Sequence, residues 1–256
     1  MNTNYLYPLM VALLLTTMQT SKGQIIGQGS TPETVVFAQS KSVETKPRVL
    51  SALSRMSFML DAGYNWRIGK ISNELDDFQK HLVRQNMSGF QWNGSAAYYF
   101  GNRICGVGVK FHQFLSSYEM FGEIVETGQT GLLKISDRIT YVGPAFMMQA
   151  PLGRSKMLVD GCAGFGYLGY QSKHFVINKD GSISGATLGA HMAAGFSYKF
   201  SSNWSIGAKF ALTSGVIFEY TLTDHYGNKT VEKLEAGQGE GLAQFSISLG
   251  IRHYIK

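Results

Sequence analysis

The sequence predicts an all-β fold, an eight-stranded antiparallel up-and-down transmembrane β-barrel. Two observations carry this. From residue 57 to 256 the chain reads as eight strand-length segments, and the gaps between them alternate long and short. Within the segments apolar and polar residues alternate strictly. Phe58, Leu60, Ala62, Tyr64, Trp66 and Ile68 lie on one face, and Asp61, Gly63, Asn65 and Arg67 on the other. Successive side chains of a strand point to opposite faces, so this pattern suits a wall with lipid outside and a polar interior.

The first strand is placed at 57–68. A long connection follows, and its Asn73–Phe78 stretch suggests a helical turn. The second strand, Phe90–Phe100, sets Phe90, Trp92, Tyr98 and Phe100 against Gln91, Asn93 and Ser95. Gly101-Asn102-Arg103 is a tight turn. The third strand, 104–115, carries Lys110 and His112 on its polar face. A second long connection is expected over 116–136. The fourth strand, 137–150, contains Pro144; this leaves its facing open and suggests a bulge. Pro151–Arg154 is a second short turn.

The fifth strand, Lys156–Tyr170, is rich in glycine and puts Phe165 and Tyr167 outward and Asp160 inward. A third long connection is expected over 171–186. The sixth strand turns Leu188, Met192, Phe196, Tyr198 and Phe200 outward and His191 and Lys199 inward. Ser201-Ser202-Asn203 is the third short turn. The seventh strand has Trp204, Ile206, Phe210 and Leu212 outward and Lys209 and Thr213 inward. After a fourth long and charged connection, 219–240, the last strand turns Phe245, Ile247, Leu249 and Ile251 outward and Gln244, Ser246, Ser248 and Arg252 inward. A tilted crossing needs about 9–11 residues, which each segment supplies. Both termini then fall on the short-turn side, expected to be periplasmic.

Residues 1–23 read as an export signal. Leu6–Met18 is an apolar run too short to span a bilayer, and Ser21-Lys22-Gly23 offers a cleavage site before Gln24. Residues 24–56 read as a polar periplasmic tail. The 256-residue chain is 44% hydrophobic and only 16% charged. Its mean hydropathy of −0.05 is what cancelling lipid-facing and lumen-facing residues produce. The net charge is +6. The basic residues are scattered singly rather than clustered, so nucleic acid is not an expected partner; outer-membrane lipid and lipopolysaccharide are. Cys105 faces lipid and Cys162 the lumen on strands that are not neighbours, so two free thiols are expected and no disulfide.

The predicted lumen network is Asp61, Arg67, Lys110, His112, Asp160, His191, Lys199, Lys209 and Arg252. Buried charges need partners, so these are read as an ionic plug. The predicted aromatic girdle is Tyr64, Trp66, Trp92, Tyr98, Tyr198 and Trp204. These outward tryptophans argue against a soluble ligand-binding barrel. No metal-ligand spacing, phosphate loop or Ser–His–acid constellation is found, so neither cofactor nor catalysis is expected. His253 shares the lipid-facing parity and has no acidic neighbour in its strand.

With this pattern the chain resembles the outer-membrane β-barrel domain family, in its eight-stranded type related to the OmpA and OmpX barrels. The glycine-dense fifth strand and the glutamine after the expected cleavage site resemble Bacteroidetes members. The resemblance covers about 57–256. It departs at the carboxyl end, where many such barrels finish on an aromatic residue and this chain reads Tyr254-Ile255-Lys256. It implies a structural or surface-interaction role through external loops that bind ligands or envelope partners, a role that includes a secretion or motility machine subunit. A narrow channel or carrier is the alternative, and a lipid A-modifying enzyme the third reading.

Overall fold

The computed structural model describes residues 53–69, 77–124, 129–153, 155–176, 179–234 and 239–255. The expected export signal, most of the expected tail and the Asn73–Asp76 end of the first connection lie outside these residues, as do Arg154 and Asn178.

Eight strands close into a ring. They are β1 (Met56–Arg67), β2 (Ser88–Tyr99), β3 (Cys105–Ile124), β4 (Gln129–Pro151), β5 (Met157–Val176), β6 (Lys179–Lys199), β7 (Trp204–Ser214) and, last in the chain, β12 (Gln244–Ile255). Each pairs antiparallel with its neighbour. β12 lies between β7 and β1, through Ser248↔Lys209 on one side and Asp61↔Gly250 on the other. Closure leaves the ring without a free edge.

Alternation sorts the side chains as the pleat demands. Leu60, Val109, Phe146, Phe165, Phe196, Ile206 and Leu249 are exposed on the outer wall, where an apolar band meets lipid. The intervening residues are buried in the lumen. Cys105 is exposed on the outer wall and Cys162 lines the lumen side; both are free. The short turns bend on residues with positive φ, at Gly101 and Arg103 between β2 and β3 and at Gly153 between β4 and β5.

Three expectations are corrected. The connections at 116–136 and 171–186 are mostly strand. β3 and β4 pair from Cys105↔Met148 out to Ile124↔Gln129, and β5 and β6 out to Val176↔Lys179. Their outer halves mix apolar residues such as Met120, Phe121, Leu132 and Leu133 with polar ones on both faces, so they lack the alternation that marks a lipid-facing strand. Pro144 produces no bulge: β4 keeps one register against β5 on both sides of it, from Val142↔Tyr167 to Ala145↔Gly164. It sits on the outer face and only interrupts the ladder, and the inside–outside alternation runs through it. The charged connection at 219–240 is structured too. It holds β9 (Glu219–Thr223) and β10 (Lys229–Lys233), with β8 (Val216–Ile217) just before it and β11 (Glu240–Gly241) at its end.

Beyond Ala190↔Ser214, β7 leaves β6, and β9 takes over the vacated edge through Ser182↔Thr223 and Gly185↔Tyr220. Above the ring the chain thus builds a sheet in the order β10-β9-β6-β5-β4-β3. Helix α1 (Asp77–Asn86) packs beside the outer part of β3, where Ser116 Oγ donates to Asn86 Oδ1 at 2.9 Å and the His81 and Tyr118 rings meet edge-on at 6.4 Å.

The expected tail reaches into the barrel. Met56 already belongs to β1, and Leu53 and Ser54 are buried at the short-turn end. Arg103 Nη1 donates to the Leu53 carbonyl at 2.5 Å and Gln149 Nε2 to that of Ser54 at 3.3 Å.

Candidate functional site

The lumen is stacked in layers, and register decides what lies in each. At the short-turn end Leu53, Leu158 and Tyr254 form an apolar floor. The opposite mouth is closed by Phe114, Ile139, Tyr141, Leu168, Ile217 and Leu242. Ile217 belongs to the two-stranded β8–β11 piece and Leu242 follows it, so this small lid crosses the opening.

Between floor and lid lie the ionisable groups. Asp61, Lys110, His112, Asp160, His191, Lys209 and Arg252 are all buried. Asp61 stands between two lysines, with Oδ2 at 3.6 Å from Lys209 Nζ and 4.0 Å from Lys110 Nζ. Its Oδ1 accepts from Asn93 Nδ2 at 2.5 Å. Asp160 takes Arg252 Nη2 at 2.6 Å on one oxygen and the Ser197 hydroxyl at 2.8 Å on the other. Paired in this way, each carboxylate offsets much of the desolvation that burial imposes.

A neutral polar layer sits above. His112 Nδ1–H donates to Asn93 Oδ1 at 2.6 Å, which leaves Nε2 as the acceptor facing Asn65 Nδ2 at 3.4 Å. Asn65 Nδ2 also donates to Gln244 Oε1 at 2.6 Å. His191 bonds Thr213 Oγ1 at 2.9 Å and stacks on Tyr141 at 5.2 Å. Apart from one small cavity beside Arg252, the cross-section is therefore filled by side chains, as expected for a ring of eight strands.

Arg67 and Lys199 stand apart from the central cluster. Arg67 lies near the lid, bound to Asp137 at 3.2 Å and Glu240 at 2.8 Å. Lys199 lies 4.4 Å over the Tyr254 ring at the floor. Sequence reasoning set Asn65, Asn93 and Gln244 on polar faces without placing them in the network. It passed over Asp137, Tyr141 and Tyr254. Tyr254 shares the parity of Arg252, and that signal was available; Asp137 and Tyr141 were hidden because the facing of β4 was left open at Pro144.

Outside, the predicted girdle residues are all exposed. Tyr98, Tyr198 and Trp204 ring the short-turn end, where Trp204 packs against His253 at 4.5 Å. Tyr64, Trp66 and Trp92 lie nearer the other end. Trp92 Nε1 donates to Gln113 Oε1 at 3.0 Å and Tyr64 to Ser88 Oγ at 2.8 Å, as amphipathic rings do at a membrane interface. Among the described residues no cluster of histidine, cysteine and acidic side chains suited to a metal is found.

A closed ring of eight antiparallel strands with an apolar exterior and a polar, filled lumen defines a transmembrane barrel of the bacterial outer membrane. The family model described as "Outer membrane protein beta-barrel domain" matches residues 49–250, and the chain belongs to that family. Among solved structures it is similar to a major outer membrane protein from Thermus thermophilus, at 15% identity and a TM-score of 0.50, covering 78% of this chain and 99% of that one. Neisserial surface protein A matches at 13% identity and TM-score 0.46, over 79% and 98% of the two chains. OprG from Pseudomonas aeruginosa matches at 12% identity and TM-score 0.46, over 79% and 97%. At these identities the likeness is one of fold. No curated protein matches the sequence.

Proposed function

We propose that this barrel is a surface-interaction protein whose working part is the sheet above the ring, exposed to the cell exterior, with both termini periplasmic. The observation that carries this reading is the length of β3, β4, β5 and β6. They run 20, 23, 20 and 21 residues, against the roughly 9–11 that a crossing needs. The surplus of about 10 residues, at about 3.3 Å per residue and a tilt of about 40°, raises a wall about 25 Å beyond the membrane. At one side of that wall, among the described residues, β10 pairs only with β9, and Lys229–Lys233 are exposed throughout. An open strand edge can accept an extended segment of a partner by backbone pairing.

Lipopolysaccharide contact fits the outer rim. Arg138 and Lys173 are exposed on the outward face of the wall, next to the Arg138↔Gln171 and Ser136↔Lys173 rungs. There they face the level of phosphorylated headgroups. The filled lumen and its lid give the transport reading less support. Ser172 meets His174 Nε2 at 3.1 Å, but the serine is buried and the nearby carboxylate of Asp137 is taken by Arg67 and Tyr170, which gives lipid modification less support as well.

The test has two parts. A membrane-impermeant amine label applied to intact cells reacts with Lys229 and Lys233 if this end is outside, and spares them if it is periplasmic. Replacement of Tyr220–Lys233 by a short flexible loop then abolishes capture of external proteins by whole cells while the heat-dependent gel shift of the barrel is kept. Capture that survives the replacement would refute the reading.

A further inference from the structure

The central charges do not balance. Among the described residues, Asp61 and Asp160 are the two buried carboxylates of this layer, and Lys110, Lys209 and Arg252 are its three buried cations. Both carboxylates are already paired: Asp61 with Asn93 and, by ion pairs at 3.6 and 4.0 Å that leave its Oδ2 without a hydrogen bond, with the two lysines; Asp160 with Arg252 Nη2 and Ser197. Arg252 has two further donors, Nε and Nη1, which are buried without a hydrogen-bond partner. Paired with Asp160 through Nη2 alone, the guanidinium keeps two buried donor atoms that have lost their water without a hydrogen bond in exchange, which is costly.

A cavity lies at this spot. Its lining includes Ser57, Ser95, Asp160, Cys162, Lys209 and Arg252. It has room for one particle about the size of a water molecule. Two serines, a lysine and an arginine thus line a space that has no room for a ligand larger than a single small particle. The carboxylate in its lining, Asp160, already has a donor on each oxygen. We infer that this cavity is a binding site for a single monatomic anion, a halide, held between Lys209 and Arg252. The anion supplies the missing negative charge and accepts from the unused Arg252 donors. The apolar floor and lid lie at the two ends of the lumen, and between them the ion serves as part of the barrel's interior.

The experiment is to refold the barrel in detergent with bromide as the sole halide, crystallise it and compute an anomalous difference map. The expected result is one bromide peak inside the lumen beside Arg252 and Lys209, absent in Lys209→Met. A map of the wild-type barrel with bromide at surface positions only, or with water in the cavity, overturns the inference. If Lys209→Met does not fold, thermal unfolding of the wild-type chain serves in its place. Refolded in bromide, the barrel melts about 2–4 °C higher than in gluconate of equal ionic strength. Identical midpoints overturn the inference.

Discussion

Gly195 lies directly across the β6–β7 ladder from Lys209, and a Cβ built on Gly195 would meet the Lys209 Cγ at 2.7 Å. The glycine makes room for the lysine stem to cross the lumen toward Asp61. Gly164 stands in a similar relation to Tyr141, whose hydroxyl would lie 3.0 Å from an added Cβ. Bare backbone on one strand is thus what lets a long side chain of a neighbour fill a narrow ring.

Gly195→Ala should therefore overpack the centre, with a loss of about 1–3 kcal/mol in folding stability. Gly94, with nothing within 4 Å of an added Cβ, is the control, and its alanine variant should stay within about 0.5 kcal/mol of the parent. Urea titration of folding into lipid vesicles measures both.

Asp160→Ala should be severe, because it strips Arg252 of its carboxylate inside the lumen. A loss of about 3–5 kcal/mol is expected, the usual result of leaving one buried charge unpaired. The double variant Asp160→Leu with Arg252→Met should recover much of that loss in the same titration. No recovery would mean that the pair's geometry, rather than its charge, holds the floor of the lumen.

Ile217→Ala and Leu242→Ala hollow out the lid, at about 2–5 kcal/mol each. They should not open a pore. The layer of His112, His191, Asn65 and Gln244 below the lid still fills the ring. Planar-bilayer recording of the double variant should show no steady conductance step; a step would make the lid the gate of a channel.

The tip of the β9–β10 hairpin depends on Asp224. Its Oδ1 accepts from the backbone N–H of Tyr226 at 2.9 Å and of Asn228 at 2.8 Å, and its Oδ2 from Asn228 Nδ2 at 2.9 Å. The Asn228 side-chain bond, with the backbone donors, holds this carboxyl below its usual range. A lowered pKa means a contribution that is complete above the ordinary carboxylate pKa and lost as pH falls through the lowered value. Amide protection in β10, corrected for the slower intrinsic exchange in acid, should fall as the pH drops through that value. Asp224→Ala should show the fast exchange already at neutral pH, with β1–β7 unchanged.

The faces of the lipid-crossing strands were legible in the sequence because side-chain direction in a strand is a local property with a period of two. Asp61, Lys110, Asp160, Lys209 and Arg252 all sit on the inner face that their parity indicates. Ring closure followed from an even number of such strands joined in sequence. Tertiary structure alone decided three other matters. How far β3 to β6 continue beyond the lipid was hidden, since outside the bilayer neither face needs an apolar stripe. The route of β8 and β11 across the mouth was hidden as well, because Ile217 stands in the short apolar run Val216–Phe218, whose local pattern does not show which member is buried, and both Ile217 and Leu242 are covered by distant strands. Finally, the pairing of Arg252 with Asp160, and of one aspartate with two lysines, depends on the register and curvature of the closed ring. Parity states which side of the wall a charge is on; only closure brings residues from β1, β3, β5, β7 and β12 to one level and leaves that level with one cation in excess.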